Sequence, residues 1–312
     1  MNRLYQFYFW LPNFAVLGKA GKVINVLMAM LLKRIFDFFL PAYYQKNTAT
    51  AAPGINTIAR QHRYVVSITS FPARIDEIWV SMETVLRQSF KPDMIVLWLA
   101  TSQFPDKKIP ESLAALQQRG LTIKFCDEDL RSHKKYLYAL QQFPDDYIIT
   151  LDDDLYYHQD VLKNIVDLHQ KNPAHICTNR AHQIGVVNGA LIPYRQWNHN
   201  AKNILAPTHR LLQTGGAGTL YFPGALHPSV TDKSLIKTLC FHADDVWLKM
   251  MCFVNGKKIL TNKKYNKDYI TVSKTQTEKL VNTNVIDGGN DTQLAQVMAA
   301  FNVLPNDFLK DN

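Results

Sequence analysis

The chain has 312 residues, of which 47% are hydrophobic and 20% charged, and it carries a formal net charge of +9. It contains no low-complexity tract and no internal repeat, which argues against repeat arrays and disordered chains and leaves one large domain or two small ones. The basic balance favours anionic partners, namely phosphates, nucleic acid or an anionic membrane surface, without choosing among them.

Four cysteines bear on the compartment. They form no C-x-x-C pair, and no histidine stands at zinc-finger spacing from them. Two of them end or lie within apolar runs, where a free cysteine usually behaves as a small buried hydrophobe. We therefore expect reduced, structural cysteines and a cytoplasmic protein. The four are Cys126, Cys177, Cys240 and Cys252.

Residues 1–46 differ in composition from the rest of the chain. Residues 4–18 are uncharged and rich in aromatic side chains but contain Pro12, and the apolar residues 23–32 end where Lys33 and Arg34 interrupt them. No stretch reaches the about 20 uninterrupted apolar residues that a spanning helix needs. A signal peptide would have a more compact apolar region.

We expect this segment to form a pair of interfacial helices, peripheral at the inner face of the membrane. A helical arm packed on the protein's own core or on a second subunit is the alternative, and a signal peptide or single span is a third. Residues 45–56 are small and polar and predict a linker, with bounds at residues 47–62, so the body is expected at residues 63–312. The basic residues expected on anionic lipid are Lys19, Lys22, Lys33 and Arg34.

Beyond the linker, strand patterns alternate with helix patterns. Strands are predicted at residues 64–69, 94–99, 121–126, 147–151 and 175–178, and helices at 75–88, 110–119, 135–142 and 160–171. This order predicts an α/β fold with a mostly parallel sheet and helices on both faces. Ligands of such sheets collect at the carboxyl ends of the strands.

Three aspartates follow the fourth predicted strand. Carboxylates so close together repel one another and rarely end a buried strand without a counter-charge. Because side chains alternate along a strand, Asp152 and Asp154 should leave on one side and Asp153 on the other, and two hard oxygen ligands on one face suit Mg²⁺ or Mn²⁺. The alternative is an acidic loop that caps the helix near Asp160.

A dinucleotide site and a P-loop are excluded, because the first strand is followed by SFPARI, without glycine.

The order of the motifs carries a resemblance. VVSITS, SMETVLRQSFKP, MIVLWL and IITLDDD together resemble a GT-A glycosyltransferase near glycosyltransferase family 2. SITSFPARI, HKKYLYAL, NRAHQI and FHADDVWLKMM resemble a bacterial group of such enzymes linked to capsule and lipopolysaccharide synthesis. The resemblance covers residues 64–301. It implies a GT-A (Rossmann-like) fold and a metal-dependent, inverting transfer of a sugar from a nucleotide-diphosphate donor to a glycan or lipid-linked glycan.

In the family that the chain resembles, the D-x-D aspartates hold a divalent cation, Mn²⁺ or Mg²⁺, that bridges the donor's diphosphate. The resemblance implies that Asp152 faces the ribose or base and that Asp153 and Asp154 face the metal and sugar. Strand alternation pairs Asp152 with Asp154 instead, so the ligating pair stays open. Some GT-A enzymes take a further ligand from a downstream histidine, here His242, although a structural histidine is the alternative.

The resemblance also implies a catalytic base in FHADDVWLKMM. The family pattern is an acidic pair whose second member is the base, which points to Asp245, with Asp244 beside it as a helix cap. A base that removes the acceptor proton opposite the leaving group inverts the anomeric configuration. Trp247, two residues on, either stacks on a sugar ring or packs in the core.

Two groups of polar residues are expected to bind the donor. Lys134 and Lys135 follow the third strand and match paired lysines of the resembling group, which implies a diphosphate site; a solvated helix start is the alternative. Thr69, Ser70 and Arg74 lie at the end of the first strand, where this fold receives the nucleotide base.

Gly215 and Gly216, in GGAGT, are expected to border the acceptor and the donor sugar, with a plain tight turn as the alternative.

Two other functions compete with glycosyl transfer. One is a nucleotidyltransferase on a related sheet, although SFPARI lacks the basic glycine-rich loop of that class. The other is a non-catalytic interaction protein on a decayed enzyme fold. No nucleic-acid partner is expected, because no wide basic patch or known module is present.

Overall fold

The computed structural model describes residues 2–10, 18–48, 51–262, 264–275 and 288–311. Its strands are β1 (Tyr64–Thr69), β2 (Met94–Ala100), β3 (Leu121–Cys126), β4 (Tyr147–Thr150), β5 (Ile176–Thr178), β6 (Ala181–Gln183), β7 (Val186–Val187), β8 (Ala190–Leu191), β9 (Leu211–Gln213), β10 (Thr219–Tyr221) and β11 (Ile259–Thr261). Its α-helices are α1 (Asn2–Trp10), α2 (Gly18–Asn47), α3 (Trp79–Leu86), α4 (Glu111–Ala114), α5 (Lys134–Gln142), α6 (Val161–Lys171), α7 (Lys233–Leu239), α8 (Asp244–Val254) and α9 (Gly289–Ala300).

Seven of the described strands form one sheet in the order β11-β5-β10-β4-β1-β2-β3. Its strand pairs are parallel, except that β10 runs antiparallel to both of its neighbours, β4 and β5. The predicted mostly parallel α/β sheet is therefore confirmed. Because β1 and β4 are parallel neighbours, their carboxyl ends meet at one edge of the sheet.

The central strands are buried on both faces, which explains their nearly continuous apolar runs. Val66 and Ile68 of β1 pack on the side of α3 and α6, whereas Val65 packs on the side of α5 and α8. Helices therefore cover both faces, as predicted. Val65, Val66 and Ile68 are fully buried.

Some predicted boundaries are wrong. The helix expected at residues 75–88 is shorter, because residues 71–78 make tight turns before α3 begins, with hydrogen bonds such as Arg74 N to Phe71 O. The helix expected at residues 110–119 is α-helical only in α4, and a 3₁₀ segment then ends at Gly120 (φ +108°). The fourth strand ends at Thr150, one residue early.

The N-terminal helices pack against the body through Tyr5 and Tyr8 of α1 and through one stripe of α2. Leu32, Phe36, Leu40 and Tyr44, spaced four residues apart, are buried in a cluster that includes Tyr156. This contact is what the alternative of an arm packed on the protein's own core predicts. The opposite face of α2 remains apolar and exposed. In the described part of the chain, no helix is both long and apolar enough to span a bilayer.

Residues 51–62, in the segment expected as a linker, have no helix or strand but are held closely to the body. Gly54 N donates to Arg119 O at 2.7 Å, and a Cβ added to Gly54 would stand 2.2 Å from Cδ2 of Leu86. Glycine is therefore required at this close approach. The four cysteines are buried and free.

Candidate active site

A cleft of about 1120 Å³ opens at the carboxyl ends of β1 and β4. This is the edge at which parallel α/β sheets bind ligands. Many of the residues predicted from the sequence meet in its wall. They are Thr69, Ser70, Arg74, Lys134, Lys135, Asp152, Asp153, Asp154, Asp244 and Asp245.

Asp153 and Asp154 converge on one guanidinium. Nη1 of Arg74 lies 2.8 Å from Oδ1 of Asp153 and 3.1 Å from Oδ2 of Asp154. Ser70 donates a second hydrogen bond to Asp153. Burial raises the pKa of Asp153 against the opposing effects of Arg74 and Ser70. The counter-charge that the aspartates required is therefore supplied in part by Arg74.

The donor set at this point fits a hard divalent cation. Two carboxylates that reach one nitrogen are close enough to share one ion, and Mg²⁺ or Mn²⁺ commonly uses one or two carboxylates plus substrate phosphates. Among the described residues there is no cluster of three or more histidine, cysteine, aspartate or glutamate side chains that could hold a metal. The protein residues that fit a cation are Asp153 and Asp154.

Asp152 points elsewhere. Its Oδ1 lies 2.7 Å from Nζ of Lys135, so it does not share Arg74 with Asp154 as the alternation of a strand would suggest. The reason is that β4 ends at Thr150, and strand geometry does not extend into the aspartate loop.

His242, expected as a further metal ligand, is not among the residues that line the cleft. Its main-chain N–H donates to Oε1 of Gln293 in α9 at 2.8 Å.

Lys135 joins the aspartate loop to the start of α8. Its Nζ lies 2.7 Å from Asp152 and 2.8 Å from Oδ2 of Asp244, and its side chain is buried. Burial lowers the pKa of Lys135, but Asp152, Asp244 and Asp245 together raise it well above its usual value. Lys134 is also buried and pairs with Asp129. The alternative of a solvated helix start is therefore wrong for both lysines.

The acidic pair of α8 is divided electrostatically. Burial raises the pKa of Asp244, but Lys135 and His133 outweigh it, so that pKa lies below its usual value. Burial and the charge of Asp244 raise the pKa of Asp245 to about 7. Such a carboxyl group is suited to exchange a proton near neutral pH. Asp244 does not cap α8 as expected: Ala243 is the N-cap residue, and the Asp244 carboxylate pairs with Lys135 instead.

The glycines at 215 and 216 let the backbone approach both acidic groups. Gly215 N–H donates to Oδ1 of Asp245 at 2.7 Å. A Cβ on Gly216 would stand 1.9 Å from Oδ2 of Asp152. Tyr157 fixes the same region, since its hydroxyl donates to Gly216 O at 2.7 Å and accepts from Asp152 N at 2.8 Å. Tyr157 was not predicted from the sequence, although it lies only three residues after Asp154 in DDDLYY.

Trp247 has no role at the surface of the cleft. The side chain is fully buried, and Nε1 donates to Val230 O at 3.0 Å. The possibility that it stacks on a sugar is wrong, because the helical spacing of α8 turns it into the core, and the alternative of core packing is correct.

The opposite wall of the cleft was largely missed. The rings of His182 and His199 lie 4.5 Å apart, and Tyr194 is 5.3 Å from His199. Residues 185–209 offered no motif, and only NRAHQI, with Arg180 and His182, signalled this wall. Further lining residues here are Asn200, Asp268 and Asn290.

A model of the family named glycosyl transferase family 2 matches residues 66–221, which is 156 of 312 residues. No curated protein matches the chain. Among solved structures, S. aureus TarS 1–349 aligns with 14% identity and a TM-score of 0.44, over 66% of this chain and 59% of that one. The same fragment in complex with UDP-GlcNAc aligns at 15% and 0.43, over 66% and 57%.

The mannosyltransferase PcManGT from Pyrobaculum calidifontis, in complex with GDP-Man and Mn²⁺, aligns at 11% identity and a TM-score of 0.37, over 75% of this chain and 65% of that one. The chain thus covers less than two thirds of each of these structures. Their TM-scores are below 0.5, a likeness too weak to indicate a shared donor, metal or acceptor. The family match spans half of the chain, from within β1 to the end of β10, and includes the aspartate loop. The mostly parallel sheet with helices on both faces is a GT-A-like fold. The chain therefore belongs to glycosyl transferase family 2.

Proposed function

We propose that this protein is a metal-dependent, inverting glycosyltransferase that moves a sugar from a nucleotide-diphosphate sugar to a hydroxyl of a glycan or lipid-linked glycan. The observation that supports this most is one cleft that contains both a convergent carboxylate pair and a second carboxyl group poised to take a proton. Asp153 and Asp154 form the pair, and Asp245, whose pKa is raised to about 7, is the second group.

On the donor side, Asp153 and Asp154 would hold Mn²⁺ or Mg²⁺. When bound, that ion supplies positive charge that neutralises a leaving diphosphate. Arg74 holds the two carboxylates in place and is itself a phosphate binder of suitable geometry. Thr69 and Ser70, at the end of β1, offer hydroxyl groups to the nucleoside.

Transfer also requires that the acceptor hydroxyl lose a proton. Asp245 accepts that proton, and the hydrogen bond from Gly215 N–H holds the carboxylate in position. Lys135 keeps Asp244 ionised, and the Asp244 charge in turn raises the pKa of Asp245. Attack from the side opposite the diphosphate inverts the anomeric configuration.

The acceptor binds along the wall of His182, Tyr194 and His199, whose rings suit the apolar faces of sugars. A lipid-linked acceptor agrees with the exposed apolar face of α2, where Leu27 and Leu31 are each more than half exposed. We infer a peripheral position at the cytoplasmic face of an anionic membrane, and a role in surface polysaccharide synthesis of the capsule or lipopolysaccharide type.

A sugar-nucleotide panel tests this function. Calorimetry with Mn²⁺ present should find one donor that binds, and binding should weaken when the metal is chelated. Addition of a glycan acceptor should then lead to release of nucleoside diphosphate. The variant Asp245→Asn should bind the donor but should release no nucleoside diphosphate. Failure of every sugar nucleotide to bind or to yield nucleoside diphosphate would overturn the proposal and favour a non-catalytic protein.

A further inference from the structure

A second cavity, which we call the basic cavity, lies between the end of α2 and the end of α3. It has a volume of about 420 Å³ and shares none of its described lining residues with the cleft. Three cations line it: Arg87, Lys91 and Arg119. The rings of Tyr43 and Tyr44 form another side.

The charges in the basic cavity do not balance. The described lining contains no carboxylate, and Glu83, which is fully buried behind it, serves both arginines. Nε of Arg87 lies 2.9 Å from Oε2 of Glu83, and Nη1 of Arg119 lies 2.6 Å from Oε1. Lys91 donates to the neutral carbonyl of Leu86 at 2.8 Å. One carboxylate therefore pairs with two of the three cations, and the third, Lys91, has a neutral partner.

Hydrogen-bonding capacity is also left over. Nη2 of Arg87 is buried and meets no acceptor among the described residues. The guanidinium is oriented by Tyr44, whose ring centroid lies 4.9 Å from Cζ. Burial lowers the pKa of Lys91, and Arg119 and Arg87 lower it further. A bound anion would relieve that repulsion and satisfy the guanidinium, because arginine and lysine bind phosphate oxygens strongly.

We propose that the basic cavity binds a phosphate group, either as free phosphate or as the headgroup phosphate of an anionic lipid. The lipid source agrees with the position of the cavity. Phe38 and Phe39 of α2 are 75% and 56% exposed, and Tyr43, four residues after Phe39 on the same helix, lines the cavity. Acyl chains beside these residues would leave the headgroup at the three cations. Phosphate binding at this site does not depend on glycosyl transfer.

Inorganic phosphate is the first probe, titrated into the full chain by calorimetry. Lys91→Gln and Arg87→Gln should each weaken one class of phosphate sites by about tenfold or more, the effect of losing one strong charge-assisted contact. The matched control is Lys108→Gln, which removes the same charge from a side chain that is 87% exposed. Phosphate bound in the cleft contributes equally to all four proteins, so it does not obscure the difference.

Lys91→Arg keeps the charge and should keep binding. The unfolding temperature of every variant is measured, so that loss of the site is separated from misfolding. If Arg87→Gln does not fold, the comparison of Lys91→Gln with Lys91→Arg is sufficient to test the proposal. Identical phosphate titrations for the original chain, Lys91→Gln and Lys108→Gln would overturn the proposal.

Vesicles separate the two sources of phosphate. If the ligand is a lipid headgroup, Lys91→Gln should bind less than the original chain to phosphatidylcholine vesicles containing phosphatidylglycerol, and inorganic phosphate should compete. If it is free phosphate, the variant should lose phosphate binding while its vesicle binding is unchanged. Both results support the site and identify its occupant. If Lys91→Gln loses neither phosphate binding nor vesicle binding, the proposal is refuted.

Discussion

Gly216 and Asp152 are packed so closely that a Cβ on the glycine would stand 1.9 Å from Oδ2 of the aspartate. Any side chain at Gly216 must therefore displace Asp152 from Lys135, or displace the backbone that Tyr157 holds. The two residues come from separate loops, and their contact joins the aspartate loop to the loop beside Asp245.

We expect Gly216→Ala to disturb this contact, at the cost of about 1–3 kcal/mol that overpacking usually carries. Transfer, measured as kcat/KM, should fall by about tenfold or more, because Asp152 and Lys135 shift together. Gly224→Ala is the control, since its Cβ would meet nothing within 4 Å. The control should lose a little stability from its φ of +74° and keep full transfer. Equal transfer in Gly216→Ala and the original chain would contradict the proposed contact.

Asp245→Asn should retain donor binding and lose transfer by about 10²–10⁴-fold, the usual contribution of a general base. The asparagine can still accept the hydrogen bond from Gly215 N–H, so the local backbone is kept. Donor affinity by calorimetry and transfer by nucleoside diphosphate release separate the two effects. Parallel loss of both would mean that Asp245 has a structural role.

The pH dependence of transfer should reflect Asp245. A base must be ionised to accept a proton, so kcat/KM should rise with pH through about 7, the value to which burial and Asp244 raise this pKa. Removing the Asp244 charge lowers the pKa of Asp245, so in Asp244→Asn the acidic limb should move to lower pH. A limb that stays in place would show that another group controls it.

Asp154→Ala should abolish the metal-dependent part of donor affinity. The substitution removes one of the two carboxylates that meet at Arg74, while Asp153 keeps both Ser70 and Arg74 as partners. Calorimetric titration of the donor with Mn²⁺ and with a chelator measures the difference. If chelation weakens donor binding equally in the variant and the original chain, the metal is held elsewhere.

Two neighbouring leucines of α2 should behave oppositely. Leu31 is 60% exposed and Leu32 is 7% exposed in the cluster against the body. Leu31→Gln should reduce sedimentation with phosphatidylcholine–phosphatidylglycerol vesicles without lowering the unfolding temperature. Leu32→Ala should cost about 2–5 kcal/mol of stability, as a buried leucine usually does. Unchanged vesicle binding in Leu31→Gln would remove the membrane role of this face.

The elements of the body were predictable because their signals are local. β1 and β3 begin and end where the apolar runs predicted, and the aspartate triplet marks the carboxyl end of β4. Even the errors at the ends of α3 and α4 concern tight turns of a few residues. Such features depend on the burial pattern of one continuous segment, which a sequence displays directly.

The partners of those residues depended on folding. Arg74 and Asp153 are 79 residues apart, and Lys135 reaches both the aspartate loop and α8, so no periodicity could pair them. Burial raises the pKa of both members of the acidic pair, but Lys135 and His133 outweigh it at Asp244, whereas the pKa of Asp245 stays raised to about 7. The same residue types were visible from the start. Their charge states depend on distance and desolvation, which exist only once separate strands and helices have packed together.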